Sequence, residues 1–248
     1  MKSVDCIWEL NNLGEKVVEI SIEKADCFDA DRIKEIIDGF DYCVIKVPMN
    51  KPEFNFGLSG LGFSMIETQI NISKRFKDFP FDDRLVRQIY PKAHLEYINN
   101  NKELNEILDK MTPNMFSTDR IYLDSHFSKG QSCERYKNWL RSEFERGTSQ
   151  ISKIIYEGKH VGFGMGRESE NGTSYGLLGG IFEDYQMEGL GLMTCSIGFI
   201  NAHQLNRPFK VMQTSISSNN ISVLQFYNYL NFKVDSMTYV FVKHNGKG

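Results

Sequence analysis

Gln186-Met187-Glu188-Gly189-Leu190-Gly191 separates two runs of different character. Before it, Tyr175 to Phe182 is apolar and strand-like. After it, Leu192 to about Gln204 has helical character. The stretch therefore reads as a glycine turn leading from a strand into a helix. The first turn of a helix has N–H groups without intrahelical partners, and the helix dipole adds partial positive charge there. Gly189 and Gly191 offer the backbone to an anion with no Cβ in the way. The reading is a diphosphate cradle, set against the alternative of an ordinary tight β–α turn. No lysine follows as a P-loop requires, and no third glycine follows Gly191 as a dinucleotide fingerprint requires.

Working outward towards the C-terminus, Leu190, Met193, Ile197 and Ile200 recur at helical spacing and predict a helix buried on a sheet. Phe209–Ser215 reads as a strand. Asn219 or Asn220 caps a helix with Val223, Phe226 and Leu230 on its core face, and 232–242 reads as a closing hairpin. Towards the N-terminus, 151–156, 160–167 and 175–182 read as three antiparallel strands. They are joined by turns at Glu157-Gly158-Lys159 and at Glu170-Asn171-Gly172-Thr173. Helices are expected over 133–146 and 101–111, and a short strand over 95–98. Between them lies a long polar and aromatic loop, Phe116–Phe127, of the kind that often carries function. The order from residue 94 is β-α-α-β-β-β-α-β-α-β. Residues 1–93 read as a smaller lobe of strand, helix, strand, helix, strand, with 76–91 as a linker or wall segment.

Composition narrows the class. The chain of 248 residues is long enough to bury a substantial core, with 41% hydrophobic and 25% charged residues. Its net charge, 29 − 32 = −3, does not suggest a nucleic-acid partner. No run approaches the ~20 apolar residues of a membrane span, and Met1–Cys6 lacks a signal-peptide core. Five cysteines and five histidines show no metal-like spacing. Reduced thiols, a cytoplasmic location and no metal are the expectation.

The 186–191 stretch fits [Gln/Arg]-x-x-Gly-x-[Gly/Ala] and resembles the pyrophosphate loop of the GCN5-related N-acetyltransferases. Asn220-Ile221-Ser222-Val223-Leu224-Gln225-Phe226-Tyr227, closing on Asn231-Phe232, resembles that family's Asn-x-x-Ala-x-x-Leu-Tyr-x-x-x-Gly-Phe. Val223 replaces the small residue and Asn231 the glycine; asparagine tolerates the left-handed backbone such a turn needs. The layout over almost the whole chain resembles the dTDP-fucosamine acetyltransferase-like enzymes, which N-acylate nucleotide-linked amino sugars. It rests on Leu58–Thr68, the Phe116–Phe127 loop and the helix carrying Trp139.

The resemblance implies an α/β fold with a mixed, mostly antiparallel sheet flanked by helices. It also implies an acyl-CoA co-substrate, acetyl-CoA or 3-hydroxybutyryl-CoA, with Gly176, Gly179 and Gly180 leaving room for the larger group. A small-molecule acceptor and a homodimer are further implications. N–H groups near Ile181 and Phe182 would receive the thioester carbonyl and the pantetheine arm. Those of Met187, Glu188, Gly189, Leu190, Gly191 and Leu192 would receive the pyrophosphate, with Gln186, Asn220 and Phe226 completing the cofactor site. Tyr227 matches the tyrosine that protonates the leaving thiolate, against the alternative of a packing tyrosine. Its ordinary pKa of about 10 suits that task.

The general base is left among Glu183, His126 and water. Arg120 is a candidate for a sugar-nucleotide phosphate, against a surface ion pair with Asp119 or Asp124. Tyr122, Asp124 and Tyr175 complete the acceptor candidates. Two other functions stay open: acyl transfer to a protein or another small amine, and a non-catalytic module that binds acyl-CoA.

Overall fold

The computed structural model describes residues 1–246. In chain order the elements are β1 (Lys2–Asp5), α1 (Trp8–Leu13), β2 (Val17–Ser21), α2 (Ala30–Ile37), β3 (Tyr42–Pro48), α3 (Pro52–Gly60) and β4 (Ser64–Arg75). Then come α4 (Arg84–Ile89), β5 (Ala93–Tyr97), α5 (Asn101–Leu108), α6 (Arg120–Leu123), α7 (Lys129–Arg146), β6 (Gln150–Tyr156), β7 (Lys159–Glu168) and β8 (Thr173–Ile181). The last are α8 (Glu183–Gln186), α9 (Met193–Gln204), β9 (Val211–Ser217), α10 (Ile221–Tyr229) and β10 (Lys233–His244).

All ten strands join one sheet in the order β1-β2-β3-β10-β4-β9-β8-β7-β6-β5. Only β2–β3 and β8–β9 pair parallel. The sheet runs through both stretches of the chain: β10 lies between β3 and β4, and β4 lies between β10 and β9.

The period-2 alternation of strands sorts side chains to two faces. On β3, Cys43, Ile45 and Val47 pack with α2 and α3, while Tyr42 and Val44 pack with Leu13 and Ile121 on the other side. On the first of these faces α4, α9 and α10 form the largest core, in which Leu190, Met193, Ile197, Ile200 and Leu230 are buried as their spacing predicts. The opposite face carries α5 and α7.

Two expectations are corrected. The 232–242 segment is one long strand and not a hairpin. It has no turn residues to reverse it, and it finds partners on both edges, with an irregularity at Asp235. Residues 76–91 are not a linker: Phe76–Asp78 forms a 3-10 turn and α4 follows, N-capped by Asp83. The aromatic residues there are core. Phe79 stacks on Phe199 at 4.2 Å between ring centroids, and Phe76 meets Phe209 edge-on at 5.1 Å. Aromatic spacing without helical or strand period carried no signal of this packing.

The turns follow their chemistry. Asn231 adopts φ 56°, the left-handed conformation expected of it. The Asn220 side chain caps α10 by accepting from the Val223 N–H at 3.2 Å.

A candidate acyl-transfer cavity between splayed strands

β8 and β9 pair over only four residue pairs, Thr173↔Val211 to Gly176↔Thr214, and then part. The register of β7 with β8 slips at this point: Met165 faces Leu178 and Gly166 faces Gly176, so Leu177 is an extra, bulged residue. Beyond it β8 stays with β7, while β9 stays with β4. A cavity of about 510 Å³ opens in the gap. It is lined from one face of the sheet by Cys195, Asn220 and Tyr227, and from the other by Arg120, Arg135 and Trp139. The cavity thus crosses the sheet at the splay.

The free edge of β8 supplies donors. The Phe182 N–H bonds to the Val161 carbonyl at 2.9 Å, so this amide is committed to the sheet, contrary to the sequence expectation. Alternation then turns the N–H groups of Ile181 and Gly179 away from β7 and towards the gap. The Ile181 carbonyl accepts from the Gln186 side chain at 3.2 Å, which ties the start of the cradle to the end of the strand.

The two cradle glycines are required for different reasons. Gly189 has φ +74° and nothing near its missing Cβ, so its need is conformational. At Gly191 a Cβ would lie 2.6 Å from the Phe226 ring, so its need is the close approach of α10. Leu190 and Leu192 turn their side chains into the core and leave the backbone of this helical start outward, beside exposed Met187 and Glu188. Gly180 does not open a larger acyl pocket, because the Met115 methyl group sits 3.2 Å from where its Cβ would be.

Tyr227 is 9% exposed and projects from α10 into the splay. Cys195 and Thr214 are the side chains beside its hydroxyl that bear on its ionisation. Thr214 in turn donates to the Gly176 carbonyl at 2.9 Å, on the last paired residues before the strands part. Burial, and next the charge and hydrogen bond of Cys195, raise the Tyr227 phenol well above its ordinary pKa. Burial likewise pushes the Cys195 thiol up to about 12. Both groups hold their protons at neutral pH. Cys195 and Thr214 are the members of this trio that sequence reading missed; an apolar helix gave no sign that one cysteine lies near a tyrosine 32 positions on.

On the other face, the expected Phe116–Phe127 loop is ordered. Pro113–Phe116 forms a 3-10 turn, and Asp119 caps α6 through the Ile121 N–H at 3.0 Å. Asp119 also accepts from Ser132 at 2.9 Å and Tyr136 at 2.8 Å. Arg135 pairs with Glu9 at 2.7 Å. Arg120 makes no ion pair and no side-chain hydrogen bond among the described residues, and its Nε is buried without a partner. Burial disfavours its charge, but Tyr42, Asp119, Glu19 and Glu67 outweigh that and hold it protonated. Arg120 is therefore an uncommitted guanidinium at the cavity wall, and not the surface ion pair weighed above.

Of the other expected residues, Tyr175 lines the cavity. Glu183 opens α8 outside it. Tyr122 bonds to Asn114 at 3.4 Å, and the Lys129 ammonium lies over its ring. His126 and Asp124 lie in a separate cluster with Glu15 and His244. None of these four side chains lines the cavity. No helix among the described residues is long and apolar enough to cross a membrane.

Solved structures share this fold. A GCN5-related N-acetyltransferase from Sphaerobacter thermophilus superposes with a TM-score of 0.56 at 10% identity over 82% of this chain; the chain spans 59% of that protein's length. A GCN5-related N-acetyltransferase from Kribbella flavida gives 0.53 at 9% identity, covering 93% of this chain and 82% of the other. A functionally unknown conserved protein from Staphylococcus epidermidis gives 0.63 at 10% identity, covering 93% and 85%. No protein-family model and no curated protein matches the chain. The fold is that of the GCN5-related N-acetyltransferases.

Proposed function

We propose that the chain is an acyl-CoA-dependent N-acyltransferase. The observation that carries this reading is a buried phenol set where two sheet strands part, on a helix whose Phe226 ring packs over the glycine turn at Gly191. The residues present fit acyl-CoA. The cradle offers outward backbone at a helix N-terminus for a diphosphate, and β8 offers the Ile181 and Gly179 N–H groups along the gap. Acyl-CoA supplies the activated carbonyl as a thioester. The Ile181 or Gly179 amide is placed to steady negative charge developing on that carbonyl oxygen. Tyr227, kept protonated by burial, is the donor for the departing sulfur. Of the bases named above, neither Glu183 nor His126 reaches the cavity wall, which leaves water to take the amine proton.

The acceptor enters from the face of α6 and α7. Arg120 supports an acceptor with an anionic group, and a planar guanidinium suits phosphate or carboxylate. We assign the acceptor to the nucleotide-linked amino sugars, with the sugar amine directed at the splay and a phosphate at Arg120. Acetyl is the default acyl group, because the Met115 methyl already fills the space over Gly180 that a 3-hydroxybutyryl chain would use. A homodimer in the cytoplasm is the setting that the sequence resemblance carries.

The test is release of free thiol from acetyl-CoA and 3-hydroxybutyryl-CoA in the presence of dTDP- and UDP-linked amino sugars. Turnover with a nucleotide sugar and none with the free amino sugar supports the assignment. Turnover only with peptide or polyamine amines moves the acceptor to another class. Tight CoA binding with no turnover on any amine makes the chain a binding module.

A further inference from the structure

Glu15, His126 and His244 meet although 229 positions separate the first from the last. Glu15 lies in the turn before β2, His126 in the segment between α6 and α7, and His244 at the end of β10. Their donor atoms lie within 4.8 Å of one another. The two imidazoles stack at 4.0 Å between ring centroids, and Tyr42 stacks on His244 at 4.7 Å.

The hydrogen bonds set up a conflict. His244 Nε2 bonds to Asp124 Oδ2 at 2.8 Å. A carboxylate only accepts, so the Nε2 proton belongs to that bond and Nδ1 of the neutral ring presents a lone pair. Nδ1 faces Glu15 Oε2 at 4.0 Å. Both atoms are buried, and neither has a hydrogen-bond partner among the described residues. Two buried acceptors therefore confront each other with no donor between them, and such unpartnered buried groups are few in folded proteins. The other Glu15 oxygen is 2.6 Å from His126 Nε2.

We propose that Glu15, His126 and His244 bind one divalent cation of the zinc class. Such an ion takes imidazole nitrogen and carboxylate oxygen at about 2.0–2.2 Å. The 4.0 Å span between His244 Nδ1 and Glu15 Oε2 leaves room for it after closure by a few tenths of an ångström. Asp124 then stands behind His244 as the outer carboxylate that fixes the ring, the usual companion of a metal-bound histidine. His126 joins through Nε2 by moving its proton to Nδ1, and its ring is 47% exposed, so water reaches the fourth position. Two nitrogens and one carboxylate favour zinc over magnesium or calcium, which prefer oxygen.

The ion ties the turn before β2 and the end of β10 to the segment that follows α6. Because α6 carries Arg120, the site braces the acceptor wall of the cavity. The inference rests on these side chains alone and stands whether or not the acyltransferase reading does.

Calorimetry of the metal-stripped full chain with zinc chloride tests it, in a Cys27→Ser background that removes the exposed thiol. One saturable equivalent with micromolar or tighter affinity is expected, together with a rise in melting temperature that magnesium does not reproduce. His126→Ala and Glu15→Gln should each weaken binding at least about tenfold, and Asp124→Asn about tenfold. His126 is at the exposed edge of the cluster, so its alanine variant keeps the fold if His244→Gln does not. Absence of saturable binding, or an affinity unchanged in both His126→Ala and Glu15→Gln, overturns the proposal.

Discussion

On one face of the splay, the Tyr227 hydroxyl is buried near Cys195 and Thr214, and burial keeps both the phenol and the Cys195 thiol protonated. On the other, Arg135 is paired with Glu9 and Arg167 with Glu143, while Arg120 has no ion pair among the described residues. The first side is built to keep one proton in place. The second is built around a charge awaiting a counter-ion. A reaction that couples a thioester to an anionic amine needs both, and the sheet gap separates them so that neither environment disturbs the other.

The sharpest way to break this division is Tyr227→Phe. Loss of the hydroxyl should lower kcat by ~10²-fold, at the lower end of general-acid effects, and leave CoA affinity unchanged. Thiol-release assays run beside CoA calorimetry read both halves. Because the phenol pKa is raised, it stays protonated above its ordinary value, so this group should cause no fall in kcat up to pH of about 10. A variant with full kcat reduces Tyr227 to packing.

Arg120→Ala probes the opposite side. A hydrogen bond to a charged group contributes about 1.5–3 kcal/mol, so KM for an anionic acceptor should rise by roughly tenfold or more, with KM for acyl-CoA constant. Equal change in both constants would remove Arg120 from the acceptor wall.

The two glycines sharpen the donor side. Gly191→Ala forces a methyl group against the Phe226 ring, with an expected destabilisation of about 1–3 kcal/mol and a shift of α10 that carries Tyr227 with it. Gly189→Val meets no neighbour but puts a β-branched residue at φ +74°. It should weaken acyl-CoA binding while the core stays folded. Thermal unfolding and CoA calorimetry on both variants separate packing from backbone conformation.

The smallest expected effect is on stability. Burial, then the charges of Lys110 and Lys153, depress the His160 pKa to about 4. The unfolded chain therefore takes up a proton that the folded chain refuses. The His160 contribution is complete above pH 6.5 and is lost as pH falls from 6.5 towards 4. His160→Gln should flatten that part of the melting-temperature profile relative to the parent. An unchanged slope would show that His160 takes no part in it.

The donor side was legible in the sequence because it is local. Gln186–Gly191 and Asn220–Tyr227, the stretches proposed to serve acyl-CoA, each gather a motif within a few residues, and helical spacing announced the buried face of α9. The acceptor side is assembled from distant positions. Arg135 is satisfied by Glu9, and the residues that act on Arg120 come from β2, β3 and β4 as well as from neighbouring Asp119. No period links such positions, so sequence could propose Arg120 but could not tell a paired guanidinium from an unpaired one. His126 shows the converse: its loop looked functional, yet the fold gives it to Glu15.

Strand β4 holds a further consequence. It is made from residues 64–75, yet its two edges are covered by β9 and β10, from residues 211–217 and 233–244. During synthesis β4 leaves the ribosome long before either partner exists, and for that interval both of its hydrogen-bonding edges are open. A nascent chain in that state is exposed to mispairing with its neighbours. The gap beside β9 that forms the cavity can take shape only once residues 211–227 have been added.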